Sequence, residues 1–326
     1  MFDFAPLKPI SAEQDGAIQT AVWGFIKASY QNLQLPEILY HYTDAAGLKG
    51  IIESGAIRAT HVAFMNDASE YLHAVSLLTE AIAEIRAIEK DPLRISLLNE
   101  INDPVGLTRP QDVGPYFVTC FSAKENSLNQ WRAYGRGEGS FSIGFDAAKL
   151  DQKILKLNGI LSPVNYDLSA QTKLVRELLL WGLSEYERIV ATVPFDQRDG
   201  HRKDWAHMFL WRAAAAAPTI KNPAFVEEQE WRLIHMPLFK QDVRFVPRQT
   251  GLSPFTELRL GEPQTGISEL VARLDRALPD RLPIRKLWSG PGRATDTSLL
   301  AGRTLLEQMN YDGVNLEASK IPYRVG

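Results

Sequence analysis

The stretch Leu39-Tyr40-His41-Tyr42-Thr43-Asp44 constrains this chain most. Its bulky and β-branched residues suit a strand. Asp44 stands where a helix should begin, and Leu48, Ile51 and Ile52 follow at helical spacing. Gly55 is placed to stop that helix, because glycine enters a left-handed cap without strain. Strand alternation sets His41 and Thr43 on one face and Tyr42 on the other. A histidine between tyrosines at a strand mouth suits a flat polar ligand. The plainer reading is a buried strand whose histidine is satisfied by a backbone carbonyl.

The chain has 326 residues, enough for one large domain or a core with a helical insertion. We read residues 1–326 as a single α+β domain with an insertion over 165–220. The net charge of −3 gives no global basic field for nucleic acid, although a local groove is compatible with it. No apolar run is long enough to span a membrane, and the N-terminus lacks a basic start and an apolar signal core. Cys120 is the one cysteine, which excludes an internal disulfide and fits a reducing compartment. The expected location is therefore cytoplasmic.

Periodicity then orders the chain. Residues 1–16 read as a loose arm, followed by a helix over about 17–32. A short strand covers 56–60, and Tyr71, Val75, Leu78, Ile82 and Ile85 mark an amphipathic helix. Asp67 and Glu70 before it have the spacing of a capping box. A short helix lies near 93–101. Strands follow at 116–122 and 141–145, with a helical turn over 127–135 between them. The spacing predicts helices over 171–190 and 203–216. Further strands fall at 230–235, 244–246, 258–260 and 284–288, with helices over 267–277 and 297–309 and a last extended segment at 314–316.

No metal-ligand cluster, nucleophile elbow, Walker loop or dinucleotide glycine fingerprint occurs. Gln130-Trp131-Arg132-Ala133-Tyr134-Gly135 offers a flat, cationic surface suited to an aromatic ring bearing phosphate. The competing reading is a core tryptophan with an internally paired arginine. Glu227-Glu228-Gln229-Glu230-Trp231-Arg232 brings carboxylates to the entry of an apolar strand. In an extended chain Glu228 and Glu230 face one way. The competing reading is a salt bridge from Glu230 to Arg132, Arg232 or Arg324.

His41-Tyr42-Thr43, Asn66-Asp67-x-x-Glu70, Cys120-Phe121-Ser122, Gln130 to Gly135, Glu230-Trp231-Arg232 and Ile321-Pro322-Tyr323-Arg324 occur in this order. As a set over about 39–324 they resemble the bacterial domain of unknown function 2971 family, whose name carries no activity. The order of parts also resembles an ADP-ribosyltransferase fold. That resemblance implies a mixed, mostly antiparallel sheet. It implies His41 on the ribose of NAD, Tyr134 or Tyr42 against nicotinamide, and Glu230 at the ribose 2′-hydroxyl. Glu228-Gln229-Glu230 resembles the Glu-x-Glu of arginine-modifying members.

The expected activity is thus NAD-consuming transfer or hydrolysis, with a toxin or anti-phage defence effector as the expected setting. NAD is the substrate and no metal is required. His41, Tyr134 and Glu230 are the catalytic candidates. His41, Tyr42, Thr43, Asn66, Gln130, Trp131, Arg132 and Arg324 are the binding candidates, with Arg132 and Arg324 facing the cleft as a phosphate clamp. The acceptor stays open among protein, nucleic acid, a small molecule and water, as does the oligomeric state. Two alternatives stand beside this: a non-catalytic sensor of a nucleotide or nucleic-acid end, and a metal-independent nuclease or other hydrolase.

Overall fold

The structure is a computed structural model that describes residues 10–65, 69–102, 116–135, 139–237, 242–248, 251–262 and 281–322. Strand β1 (Ile38–Asp44) runs directly into helix α2 (Ala45–Ser54), as the sequence implies. The Asp44 carboxylate accepts the Gly47 N–H at 2.8 Å and caps the helix. Gly55 ends it with φ 63°. Helix α1 (Ala12–Ser29) starts within the stretch read as an arm, because Ser11 caps its first turn. Strand β2 (Ala56–His61), helix α3 (Ser69–Ile88), helix α4 (Pro92–Ile101) and strand β3 (Phe117–Ser122) follow. Next come α5 (Leu128–Tyr134), β4 (Ser140–Asp146), α6 (Ala147–Leu155) and β5 (Gly159–Pro163). The sequence reading assigns nothing to α6 and β5.

Helices α7 (Leu168–Val190) and α8 (Arg198–Ala213) fill the region read as an insertion. The chain then continues as β6 (Glu230–His235), β7 (Val243–Arg248), β8 (Gly251–Arg259), β9 (Ile284–Ser289), α9 (Thr295–Gln308) and β10 (Asn315–Ala318). The helix read over 267–277 lies outside the described residues. No described helix is long and apolar enough to cross a membrane.

Ten described strands form one mixed sheet in the order β10-β9-β4-β1-β3-β2-β8-β7, with β6 joining β3 to β5. The β9–β10 pair is parallel and the other described pairs are antiparallel. The α+β class and the mostly antiparallel sheet are as read from the sequence. Helices cover both faces. Ile18, Val22, Leu97, Leu178, Leu183, Trp205 and Phe209 pack with Val118, Ile160 and Ile234 on one face. Leu48, Ile52, Leu150, Ile154 and Leu306 pack with Leu39, Ile143, Phe145 and Leu233 on the other.

The sheet is not continuous at its centre. One edge of β3 pairs with β6 along its whole length. On the opposite edge, β1 meets β3 only at Tyr40↔Ser122, and β2 meets it only at Thr60↔Val118 and His61↔Phe117. Thr119, Cys120 and Phe121 therefore have no strand partner on that edge, and β1 and β2 diverge around them. An opening inside a sheet exposes backbone groups that side chains must satisfy. The Thr119 hydroxyl donates to the Arg58 carbonyl at 3.0 Å, and His41 takes the Cys120 carbonyl at 2.9 Å.

The stop of α2 is directly testable. A Cβ on residue 55 would meet the Glu262 carbonyl oxygen at 2.5 Å. An L-residue in the left-handed region itself costs about 1–2 kcal/mol. Gly55→Ala should lower the stability measured by denaturant unfolding by at least that amount.

Candidate functional site

The divergence of β1 and β2 opens a cleft of about 460 Å³. Its wall includes His41, Tyr42 and Thr43 from β1, Arg58 and Thr60 from β2, Cys120 from β3, and Gln130 and Tyr134 from α5. Glu70 of α3, Lys221, Glu228, and Glu230 and Arg232 of β6 close its acidic end.

His41 combines both readings of the sequence. Its Nδ1–H donates to the Cys120 carbonyl, so the neutral ring keeps Nε2 as an acceptor. Burial lowers its pKa, against a smaller opposing effect of that hydrogen bond, and the ring is neutral at pH 7. The tautomer is thus fixed by the carbonyl that the split sheet leaves unpaired.

Tyr42 lines the cleft, but its hydroxyl is taken. It donates to the Lys124 carbonyl at 2.7 Å and accepts the Ser127 N–H at 3.0 Å. Burial pushes this phenol up to about 12. Trp131 packs edge-on against Tyr42 with ring centroids 4.7 Å apart, and its indole N–H donates to Asn126 at 2.8 Å. It belongs to a cluster with Tyr40, Tyr42 and Trp288, and is not part of the cleft wall. Arg132 is exposed and is likewise not among the residues that line the cleft. The reason is helical phase: Gln130, Trp131 and Tyr134 share the inner face of α5, and Arg132 falls on the outer one. The cationic clamp expected from Trp131-Arg132 is therefore not formed at this cleft. Asn66 and Arg324 lie outside the described residues.

Glu230 is deeply buried and fully paired. Arg232 grips it through two bonds, Nε to Oε1 and Nη2 to Oε2, both at 2.9 Å. Lys221 Nζ lies 3.2 Å from Oε2. Arg232 also reaches Glu70 at 2.7 Å and the Pro218 carbonyl at 3.0 Å. Lys221 completes the ring with Glu228 at 2.6 Å and Glu70 at 3.0 Å. Of the partners expected for Glu230, Arg232 is the one it binds among the described residues. Glu70 carries its charge to these two cations, and Asp67, its partner in the capping-box reading, lies outside the described residues. Burial pushes the Glu230 carboxyl up, but Arg232 and Lys221 outweigh it and hold the group at about 2. Burial raises the Cys120 thiol, and the Glu230 charge raises it further. Burial likewise raises the Tyr134 phenol, and nearby negative charge adds to this.

Glu228 and Glu230 are not two positions of one extended strand. Gln229 has φ 43°, so Glu228 ends a 3₁₀ segment and only Glu230 belongs to β6. Both still meet on Lys221. Glu228 is the more accessible carboxylate, with 24% side-chain exposure against 4% for Glu230. Lys221 binds its Oε2, and no described donor binds its Oε1.

The sequence reading omits Lys221 and Arg58 from the site. Lys221 follows Pro218 in irregular chain, where no periodicity marks it. Arg58 had a signal: Ile57 and Ala59 are buried, so the alternate positions Arg58 and Thr60 point away from that core.

The paired acid should govern stability at low pH. The folded Glu230 pKa lies below its ordinary 4.5, so its ionised form stabilises the fold above pH 4.5. That contribution, on the order of 3 kcal/mol, is lost as pH falls from 4.5 through 2. Glu230→Gln should cost about 3–5 kcal/mol at pH 7, because it breaks a buried pair. Its stability should also fall less steeply across that pH window. Denaturant unfolding of parent and variant from pH 7 to 2 measures both effects.

No curated protein and no solved structure matches the chain. The His41, Asn66, Cys120 and Ile321 motifs lie outside the one segment that a family match covers. That segment, residues 130–233, runs from Gln130 in α5 to Leu233 in β6 and takes in Lys221, Glu228, Glu230 and Arg232. Over it, about a third of the chain, the sequence matches the family described as "Protein of unknown function (DUF2971)".

Proposed function

We propose that the cleft takes NAD and that the protein is an ADP-ribosyltransferase-like enzyme that breaks the nicotinamide–ribose bond. One observation carries the reading: a single cleft holds the fixed acceptor His41 Nε2, the aromatic rings of Tyr134 and Phe225, and a cluster of carboxylates. Its volume is in the range of small-molecule sites, roughly 300–1,000 Å³. His41 accepts a ribose hydroxyl hydrogen bond. Tyr134 or Phe225 lies against the nicotinamide ring. The C1′–N bond breaks with its electron pair going to nicotinamide, which leaves neutral. Water or another nucleophile then bonds to C1′ and gives up a proton.

Positive charge develops on the sugar as that bond stretches, as in glycoside cleavage. A carboxylate beside it stabilises the transition state. Both Glu230 oxygens are held by cations, so we assign the facing carboxylate to Glu228, with Glu230 holding Lys221 and Arg232 in place. In a cell such an activity would deplete NAD or modify a target, as a toxin or anti-phage effector does. The full pairing of Glu230 also favours a second reading, a nucleotide sensor that binds without turnover.

Incubation with NAD, with chromatography for free nicotinamide, tests this. The parent should release nicotinamide. Glu228→Gln should bind NAD nearly as well and turn over roughly a hundredfold more slowly. His41→Ala should weaken binding and turnover together, since its hydrogen bond exists before the bond breaks. NAD binding without nicotinamide release by the parent would favour the sensor. Full turnover by folded Glu228→Gln would return the role to Glu230.

A further inference from the structure

Strand register places Arg58 and Thr60 of β2, Phe255 and Glu257 of β8, and Arg244 and Arg248 of β7 on one face of the sheet. The β2–β3 pairing of Thr60 with Val118, and the β3–β6 pairing of Val118 with Ile234, make it the face that also carries Glu230 and Arg232. The cationic and acidic ends of the cleft are thus parts of one surface. Arg58, Thr60 and Arg248 line the cleft directly.

The charges on this face are unequal. Arg244 pairs with Glu257 at 2.9 Å. Glu257 is also the cross-strand partner of Arg58, yet no described carboxylate pairs with Arg58. The Arg58 guanidinium instead lies over the Phe255 ring, 4.7 Å from its centroid. An aromatic bed orients a guanidinium and leaves its edge donors available. Arg248 reaches across to the Thr60 hydroxyl at 3.5 Å, which brings a second guanidinium toward the first. At the other end Lys221 and Arg232 are already committed to Glu70, Glu228 and Glu230. The cleft is therefore polarised, with arginines at one end and an acid cluster of net charge −1 at the other.

We propose that Arg58, Arg248 and Thr60 form a pyrophosphate-binding subsite, the anchor for the phosphates of a nucleotide whose other end reaches the acid cluster. The identification of the pyrophosphate as part of NAD rests on the function proposed above. The anion site itself rests on Arg58 and its neighbours. Guanidinium forks bind phosphate oxygens in pairs, and two arginines around a hydroxyl match two linked phosphates. A ligand with a cationic nicotinamide ring and an anionic pyrophosphate has the same polarity as the cleft. The engagement of Arg244 by Glu257 and the concave shape favour a compact nucleotide over a nucleic-acid strand.

Titration calorimetry of the full chain with inorganic pyrophosphate, ADP, adenosine and a single-stranded oligonucleotide tests the subsite. Pyrophosphate and ADP should bind the parent. Each should bind at least tenfold more weakly to Arg58→Gln and to Arg248→Gln, whereas adenosine should be unaffected. Thermal melts of these exposed-site variants should match the parent. Arg58→Lys should recover only part of the affinity, because an ammonium cannot form the paired bonds. The proposal is overturned if pyrophosphate does not bind the parent, or if ADP binds parent and Arg58→Gln alike. It is also overturned if the oligonucleotide binds more tightly than ADP and depends on Arg244 as much as on Arg58. Arginine-dependent pyrophosphate binding without nicotinamide release would keep the subsite and remove the NAD-cleavage reading. Nicotinamide release with an unchanged KM for NAD in Arg58→Gln would do the reverse.

Discussion

A buried guanidinium holds the centre of this protein together. Arg232 stands on β6, almost wholly out of solvent, and binds Glu230 of its own strand, Glu70 of α3 and the Pro218 carbonyl beyond α8. Moving such a charge out of water costs several kcal/mol, so the arrangement persists only if its donors find partners. Those partners come from three separate parts of the chain. The ion cluster therefore fixes where the helical layer sits on the sheet, and Lys221 ties Glu228 to the same point. Its value lies in specificity of arrangement as much as in stability, since an apolar replacement would avoid the desolvation cost.

The opening in the sheet is the second constraint. Strand β3 is fully paired on one side and only partly on the other, and the unpaired segment is where β1 and β2 separate. Backbone groups freed there are taken by His41 and Thr119, two residues of the cleft wall. The same gap thus creates the cavity and fixes the histidine tautomer. Behind it, Tyr42 and Trp131 lock the 124–131 segment against β1. Asn126 extends that lock to Ser319 past β10, with 2.8 Å bonds from the Trp131 indole and the Ser319 hydroxyl. Aromatic side chains that look suited to ligand stacking serve here mainly as struts.

Much of the fold was legible because its signals are local. The strand-to-helix passage at Asp44, the glycine stop at 55 and the stripe through α3 depend on neighbours within one or two turns. The boundaries of β1, β2 and β6 follow from alternation or apolar runs. Strand β5 gives no local signal, because its five residues, Gly159-Ile160-Leu161-Ser162-Pro163, are buried throughout and show no alternation. Helix α6 does carry a local signal, since Ala147, Leu150 and Ile154 are buried at helical spacing behind the Asp146 cap.

By itself the sequence determined most of the strands and helices, and it drew attention to His41 and the carboxylates near 230. Only the tertiary structure decided how those residues are used. Sequence spacing made Glu228 and Glu230 equivalent, but the left-handed Gln229 turns one toward solvent and leaves the other buried against Arg232. The motif around 131 placed an arginine beside a tryptophan, but the phase of α5 sends Arg132 away from the cleft wall. The arginines that do line the cleft, Arg58 and Arg248, lie 190 positions apart and meet only through the pairing of β2, β8 and β7. Pairing of charges across a sheet depends on register between distant strands, and that information is absent from any local window of residues.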